Sequence, residues 1–326
     1  VTRLEDVTYV LPILRREAVA RDDELFEYLA SIAQFVARTI VVDGSQERVF
    51  ATIDAALPPA IEHIRPDPSE TGCNGKAAGV RTAMRRIETA KTVIADDDVR
   101  YDAAGLTDVA RALDDADVVR PQNYFSPKPW HAVLDEGRSL LARVTGGDWP
   151  GTLGLRTAAY RRSGGYDGDA LFENLELVRT LCAAGGRERR LDGTFVARRP
   201  PTTRHYVSQR VRQAYDEFAR PARLCAQLAL GPLFALALLR SPKALFAAAV
   251  AGIALAEAGR RKDGATRVFP PVASLLAPVW IAERAVTSWL ALWQRACGGA
   301  SYGGRRLRLA ANSTRALRER LAEAAR

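Results

Sequence analysis

An α/β fold is predicted for this chain: a mostly parallel sheet flanked by helices, followed by a C-terminal helical region. Three observations carry the prediction. Short apolar runs alternate with amphipathic stretches over the first two-thirds of the sequence, the pattern of strands joined through helices. Acidic residues close several of those runs, where open parallel sheets bind their ligands. Beyond residue 220 the composition turns to long runs rich in Ala and Leu.

The elements follow in order. Val7–Pro12 is an apolar run ended by proline and reads as a buried strand. Glu17–Ala37 has helical periodicity, with Leu25, Tyr28, Leu29, Ile32, Phe35 and Val36 along one side. Thr39–Val42 reads as a second strand, closed by Asp43-Gly44-Ser45. Helices are expected over Glu47–Ala60 and Ala77–Ala90, and a third strand over Thr92–Ala95 runs into Asp96-Asp97-Asp98. Pro127 to His131 is a proline-bounded segment before an expected helix over Ala132–Val144. The apolar runs Leu224–Leu239 and Ala244–Ala256 each fall short of the ~20 residues of a straight membrane span. A short membrane hairpin, tilted spans, in-plane helices or a soluble hairpin all fit them. Val268–Ala296 adds Trp280, Trp289 and Trp293, residues suited to a membrane interface. The expected division is a catalytic domain over 1–220 and a membrane-associated helical region with a basic tail over 221–326.

Charge is unevenly placed. The chain of 326 residues carries a net +9, yet residues 1–120 hold 15 Lys/Arg against 22 Asp/Glu. The basic excess therefore lies in the remainder, including ten Arg in 186–223 and seven in the tail from Ser301. Such a surface suits lipid headgroups or a diphosphate, or is simply solvated. Few aromatics interleave with it and no nucleic-acid module is present, so nucleic acid is not an expected partner. Cys73, Cys182, Cys225 and Cys297 lack metal-ligand spacing and read as free thiols. Val1 to Arg21 is charged and has no signal-peptide pattern, which places the expected catalytic part at the cytoplasmic face of a membrane.

Several residues can carry chemistry. On an extended segment Asp96 and Asp98 would share a face and converge on one Mg²⁺ or Mn²⁺. An exposed acidic turn or helix cap is the alternative. Asn74-Gly75-Lys76-Ala77-Ala78-Gly79 opens a helix, and Lys76 there can meet a phosphate, although the P-loop pattern is absent. His63 reads as incidental and His205 as structural; His131 lines an acceptor entrance or only a turn.

In this order the segments VTYVLP, TIVVDGS, NGKAAGV and TVIADDDVRY resemble the nucleotide-binding half of family-2 glycosyltransferases of GT-A fold. GGDWPGTLGLRTAAYRRSGGYDG, LFENLELVRTL and HYVSQRVRQAYDEF resemble the acceptor half, with its acidic motif and its QxxRW motif. The likeness spans roughly residues 5–220 and is nearest to membrane-bound synthases and ceramide-glucosyltransferase-like enzymes. It implies that Pro12, Asp43, Lys76 and Asp97 meet the nucleotide of a nucleoside-diphosphate sugar, a UDP-sugar above all. It implies that Asp96 and Asp98 hold the metal, and that Gln209 and Arg212 neutralise the leaving diphosphate.

Two departures bear on the chemistry. The usual Asp of the acidic motif is Asn174, which cannot act as a base at neutral pH, so Glu173 is expected to take that role and Glu176 is the second choice. The Trp of QxxRW is Gln213, leaving Trp149 as the candidate acceptor platform. The expected activity is inverting transfer of a hexosyl group to a lipid or other hydrophobic acceptor at a membrane surface. A nucleotidyltransferase and a catalytically inactive membrane scaffold are the alternatives.

Overall fold

The structure is a computed structural model that describes residues 2–17, 22–302 and 304–324. It divides into two compact units that interleave along the chain. The first comprises 1–121, 150–196 and 312–326, and the second 122–149 and 197–311. Composition suggested a cut at residue 220. By contact, 122–149 groups instead with the later helices, and the C-terminal stretch groups with the first unit.

The sheet has eight strands: β1 (Leu4–Ile13), β2 (Val36–Asp43), β3 (Ile61–Ile64), β4 (Lys91–Ala95), β5 (Val99–Arg100), β6 (Val118–Phe125), β7 (Thr152–Arg156) and β8 (Glu188–Arg198). Their order is β3-β2-β1-β4-β7-β6-β8-β5. The first four are parallel, with Ile13 opposite Asp43 and Val10 opposite Ile94. β7 is antiparallel to both β4 and β6. Val7, Tyr9 and Leu11 bury one face of β1 in a core with Leu25, Leu29 and Ile32 of the helix Asp22–Phe35. Val10 is equally buried, as are Ile40, Val42 and Ile94. Both faces are covered, which is why these strands read as continuous apolar runs. The α/β architecture is the expected one.

Element boundaries shift for local reasons. The expected helix Glu17–Ala37 gives up Val36 and Ala37 to β2, where Val36 pairs with Leu4 and is fully buried; residues 18–21 lie outside the described residues. The helix after β2 covers Glu47–Ala56 only, because Pro58 forces Leu57 into an extended conformation at ψ 140°. The next helix, Gly75–Met84, starts two residues before Ala77 because Asn74 caps it, its side chain accepting from the Lys76 and Ala77 amides.

In the second unit the helix Trp130–Val144 packs on Pro242–Arg261, Pro271–Leu275 and Ala277–Ala296. A Cβ on Gly259 would lie 2.1 Å from the Leu140 carbonyl oxygen, so only glycine permits this crossing. The two apolar runs sit inside helices of 20 residues each, Pro221–Arg240 and Pro242–Arg261, about 30 Å long. Proline at the start and polar residues at both ends lengthen them past the bare apolar runs. By length and composition Pro221–Arg240 and the stretch Pro242–Arg267, which continues the second helix, could cross a membrane, and Leu238, Leu239 and Phe246 are exposed on them.

Candidate functional site

Strand order locates the site. The chain runs outward from β1 to β2 and β3, then returns to place β4 on the other side of β1. This reversal makes a topological switch point between β1 and β4, and ligands of open α/β sheets bind outside the carboxyl ends of strands at such a point. Arg15, just beyond β1, forms an ion pair there with Asp97, just beyond β4.

Asp96 follows β4 directly, its amide fixed by the Gly151 carbonyl at 2.8 Å. The Val99 amide bonds the Asp96 carbonyl at 3.0 Å, so Asp96–Val99 is a turn. An extended segment would give Asp96 and Asp98 a shared face by strand alternation; the turn replaces that geometry.

Lys76, in the first turn of its helix, reaches into the same place. Its Nζ lies 2.5 Å from Asp96 Oδ1, 2.9 Å from Glu173 Oε1 and 3.2 Å from Asn174 Oδ1. Burial works against charge on Lys76. Asp96 and Glu173 outweigh it and hold the ammonium well above the usual lysine range. Its loop is anchored by Asn74, whose amide bonds the Gly168 carbonyl and whose Nδ2 bonds the Ala170 carbonyl.

The acidic motif separates into different roles. Asn174 accepts from Lys76 through Oδ1 and donates through Nδ2 to the Pro150 carbonyl at 2.9 Å. An aspartate could make only the first of these bonds, which explains the amide. Glu176 is fully buried and accepts from the backbone amide and Nδ2 of Asn312 at 2.6 and 2.8 Å. Arg179 bonds the Asn312 carbonyl and Asp167 accepts from its Nδ2. Glu176 is thus placed as the anchor of the C-terminal segment and its helix Thr314–Ala324, a tail that sequence left against lipid or in solvent. Burial pushes the Glu176 carboxyl up, against the two Asn312 bonds.

Asp43 ends β2 and is wholly inaccessible. Its Oδ1 accepts from the Ser45 amide at 2.8 Å and its Oδ2 lies 3.3 Å from His63 Nε2. Burial opposes its charge, but His63 and Ser45 prevail and hold its carboxyl below the usual range. Pro12, opposite Val42, packs on Gly79 of the Lys76 helix, where a Cβ would come within 3.1 Å of Pro12 Cβ.

The QxxR residues lie in the second unit. Arg212 donates to Gln209 Oε1 at 2.7 Å. The buried arginine of the motif is Arg210, which donates to Asp135 at 2.8 Å and Glu283 at 2.9 Å and braces that unit's interior. Sequence spacing does not single out Arg210, an unspecified position inside QxxR, nor His63 or Arg15, which lie in no quoted motif, because what each meets is set by distant parts of the chain.

Among the described residues no group of three or more His, Cys, Asp or Glu side chains is placed to hold a metal by itself. The donor chemistry of Asp96 and Asp98 nonetheless fits Mg²⁺ or Mn²⁺. Both offer hard carboxylate oxygens, and Asp96 already accepts a cation, the Lys76 ammonium.

These features define an α/β protein with a cluster of charged side chains at the topological switch point of its sheet. No family model matches the chain, and no curated protein matches it. Among solved structures it is similar to a mannosyltransferase from Pyrobaculum calidifontis in complex with GDP-Man and Mn²⁺, with 18% identity, a TM-score of 0.48 and coverage of 99% of this chain and 80% of the other. It is also similar to glucosyl-3-phosphoglycerate synthase from Mycobacterium tuberculosis in complex with Mn²⁺, UDP and phosphoglyceric acid (13% identity, TM-score 0.41, coverage 62% and 73%). Mannosyl-3-phosphoglycerate synthase from Rubrobacter xylanophilus gives 12% identity, a TM-score of 0.42 and coverage of 63% and 70%. Likeness at this level concerns the course of the chain and decides nothing about substrate.

Proposed function

We propose that this protein is a metal-dependent, inverting glycosyltransferase of GT-A type. It takes a hexosyl group from a nucleoside-diphosphate sugar, a UDP-sugar in the first instance, to a lipid or other hydrophobic acceptor at the cytoplasmic face of a membrane. The observation that carries the reading is the cluster of Lys76, Asp96 and Glu173 at the switch point of the sheet, on segments that resemble glycosyltransferase motifs in the same order.

Asp96 and Asp98 would hold the metal, which when bound offsets charge on the donor diphosphate. Lys76 offers a second cation to the same diphosphate, exchanging its carboxylate partners for phosphate oxygens. Glu173 is the general base. The acceptor hydroxyl attacks the anomeric carbon, its proton passes to Glu173, and the bond to the diphosphate breaks with its electron pair leaving on phosphate. Attack opposite the leaving group inverts the anomeric centre. Asp43 acts from behind the surface by fixing the loop at Ser45. The exposed apolar side chains of Pro221–Arg240 and Pro242–Arg261 support a membrane location.

Calorimetry with a panel of nucleoside diphosphates, with and without Mn²⁺, tests the reading on wild type and Asp98→Ala. Metal-dependent binding of one nucleotide that is lost in the variant is expected. No binding to any of them by the wild type would overturn it.

A further inference from the structure

A chain of contacts leads from the exposed Asp54 to the switch point between β1 and β4. Asp54 Oδ1 lies 2.9 Å from His63 Nδ1, and His63 Nε2 lies 3.3 Å from Asp43 Oδ2. The Ser45 amide donates to Asp43 Oδ1 at 2.8 Å. Ser45 Oγ accepts from the Arg15 amide at 2.7 Å, and the Arg15 guanidinium pairs with Asp97. One histidine therefore sits between two carboxylates, and the inner one sets the loop that positions Arg15.

The imidazole is held as well as paired. It stacks on Phe50, ring centroids 4.0 Å apart and planes 14° from parallel. The Arg65 guanidinium carbon lies 4.0 Å from the same Phe50 ring, and Arg65 bonds the Ser45 carbonyl. The His63 side chain is 3% exposed and Asp43 is sealed. Neither can touch a ligand without movement, so their effect passes through Ser45 and Arg15.

We infer that His63 is a positioning residue for nucleotide binding: braced by Phe50, it fixes Asp43, and through Ser45 it sets Arg15 at the β1 side of the switch point. The inference rests on the nucleotide-sugar reading above. Without His63, Asp43 loses its partner on one oxygen, its loop gains freedom, and nucleotide must order Arg15 on binding.

The test is calorimetric titration of UDP and of GDP, each with Mn²⁺, into the full chain as wild type, His63→Ala and His63→Gln. Thermal melts accompany each protein. His63→Ala is expected to raise Kd about tenfold with stoichiometry unchanged. His63→Gln, whose amide can still donate to Asp43, is expected to recover most of the affinity. A merely structural role would lower stoichiometry and melting temperature and leave Kd of the folded fraction alone. If His63→Ala does not fold, His63→Gln and Phe50→Leu carry the comparison. Wild-type Kd in folded His63→Ala, or in Phe50→Leu where His63→Ala does not fold, overturns the positioning role while the nucleotide reading stands. A wild type that binds neither nucleotide overturns both.

Discussion

Lys76 Nζ donates to Glu173 Oε1 at 2.9 Å, joining residues 97 positions apart in the chain. The same ammonium holds Asp96 at 2.5 Å, so one lysine neutralises both the proposed base and a proposed metal ligand. Replacing it with methionine leaves two carboxylates close together with no cation between them. Lys76→Met is expected to cost about 1–3 kcal/mol of stability, and to slow sugar transfer about 100-fold or more. Chemical denaturation and turnover of a UDP-sugar panel measure the two effects. Unchanged turnover would remove Lys76 from the donor site.

Asn174 yields a prediction opposite to simple motif repair. Restoring the usual aspartate removes the bond from Nδ2 to the Pro150 carbonyl and sets a carboxylate against that oxygen. Asn174→Asp is expected to lose about 1–3 kcal/mol and to gain no activity. A more active variant would show that Glu173 is not the base.

Glu176 gives a pH signature. Its carboxyl is pushed up mainly by burial, so the folded state binds more proton than the unfolded chain above the ordinary glutamate value of 4.5. The associated stability is fully present below 4.5 and declines as pH rises through the folded value. Glu176→Gln is expected to abolish that decline, read as the difference between the two proteins' melting temperatures across a pH series. Glu176→Ala is expected to free the segment around Asn312 and speed proteolytic loss of the helix Thr314–Ala324. A tail as protected as in wild type would contradict the anchoring role.

Asp135 behaves in the opposite sense. Burial opposes its charge, but Arg138 and Arg210 hold its carboxyl well below the usual range. Its stabilisation is present above the ordinary aspartate value of 3.8 and is lost as pH falls toward the folded value. Asp135→Asn removes a charge from between two arginines and is expected to cost about 3 kcal/mol at neutral pH. Denaturation that matches wild type would show the network to be dispensable.

The parallel half of the sheet was legible because both its faces are buried, so β1, β2 and β4 print as apolar runs ending in Pro12, Asp43 and Asp96. β3 was not, since polar Glu62 and His63 interrupt its run of four residues. Lys76 and Glu173 could be named from local motifs. Their meeting could not, because it depends on how Asn74 seats against Gly168 and Ala170. Asn174 shows in sequence only as a departure from the motif, because its second bond goes to a backbone carbonyl, which leaves no trace there. The bracing role of Arg210 leaves no trace in sequence, because helical spacing shows which residues share a face and says nothing of what that face meets.

The helices Pro221–Arg240 and Pro242–Arg261 supply the last prediction. Leu239 is 84% and Phe246 74% exposed, on segments whose lengths match a hydrocarbon core of about 30 Å. Burying such side chains in lipid is favourable by about 1.5–3 kcal/mol each, so charged replacements act directly on membrane affinity. The full chain is expected to float with phosphatidylcholine–phosphatidylglycerol vesicles in a density gradient, and to resist extraction by high salt. Leu239→Lys combined with Phe246→Lys is expected to reduce the floating fraction while nucleotide binding is retained. Release of the wild type by salt alone would assign the association to the arginine-rich surface and leave these helices at the bilayer surface or in solution.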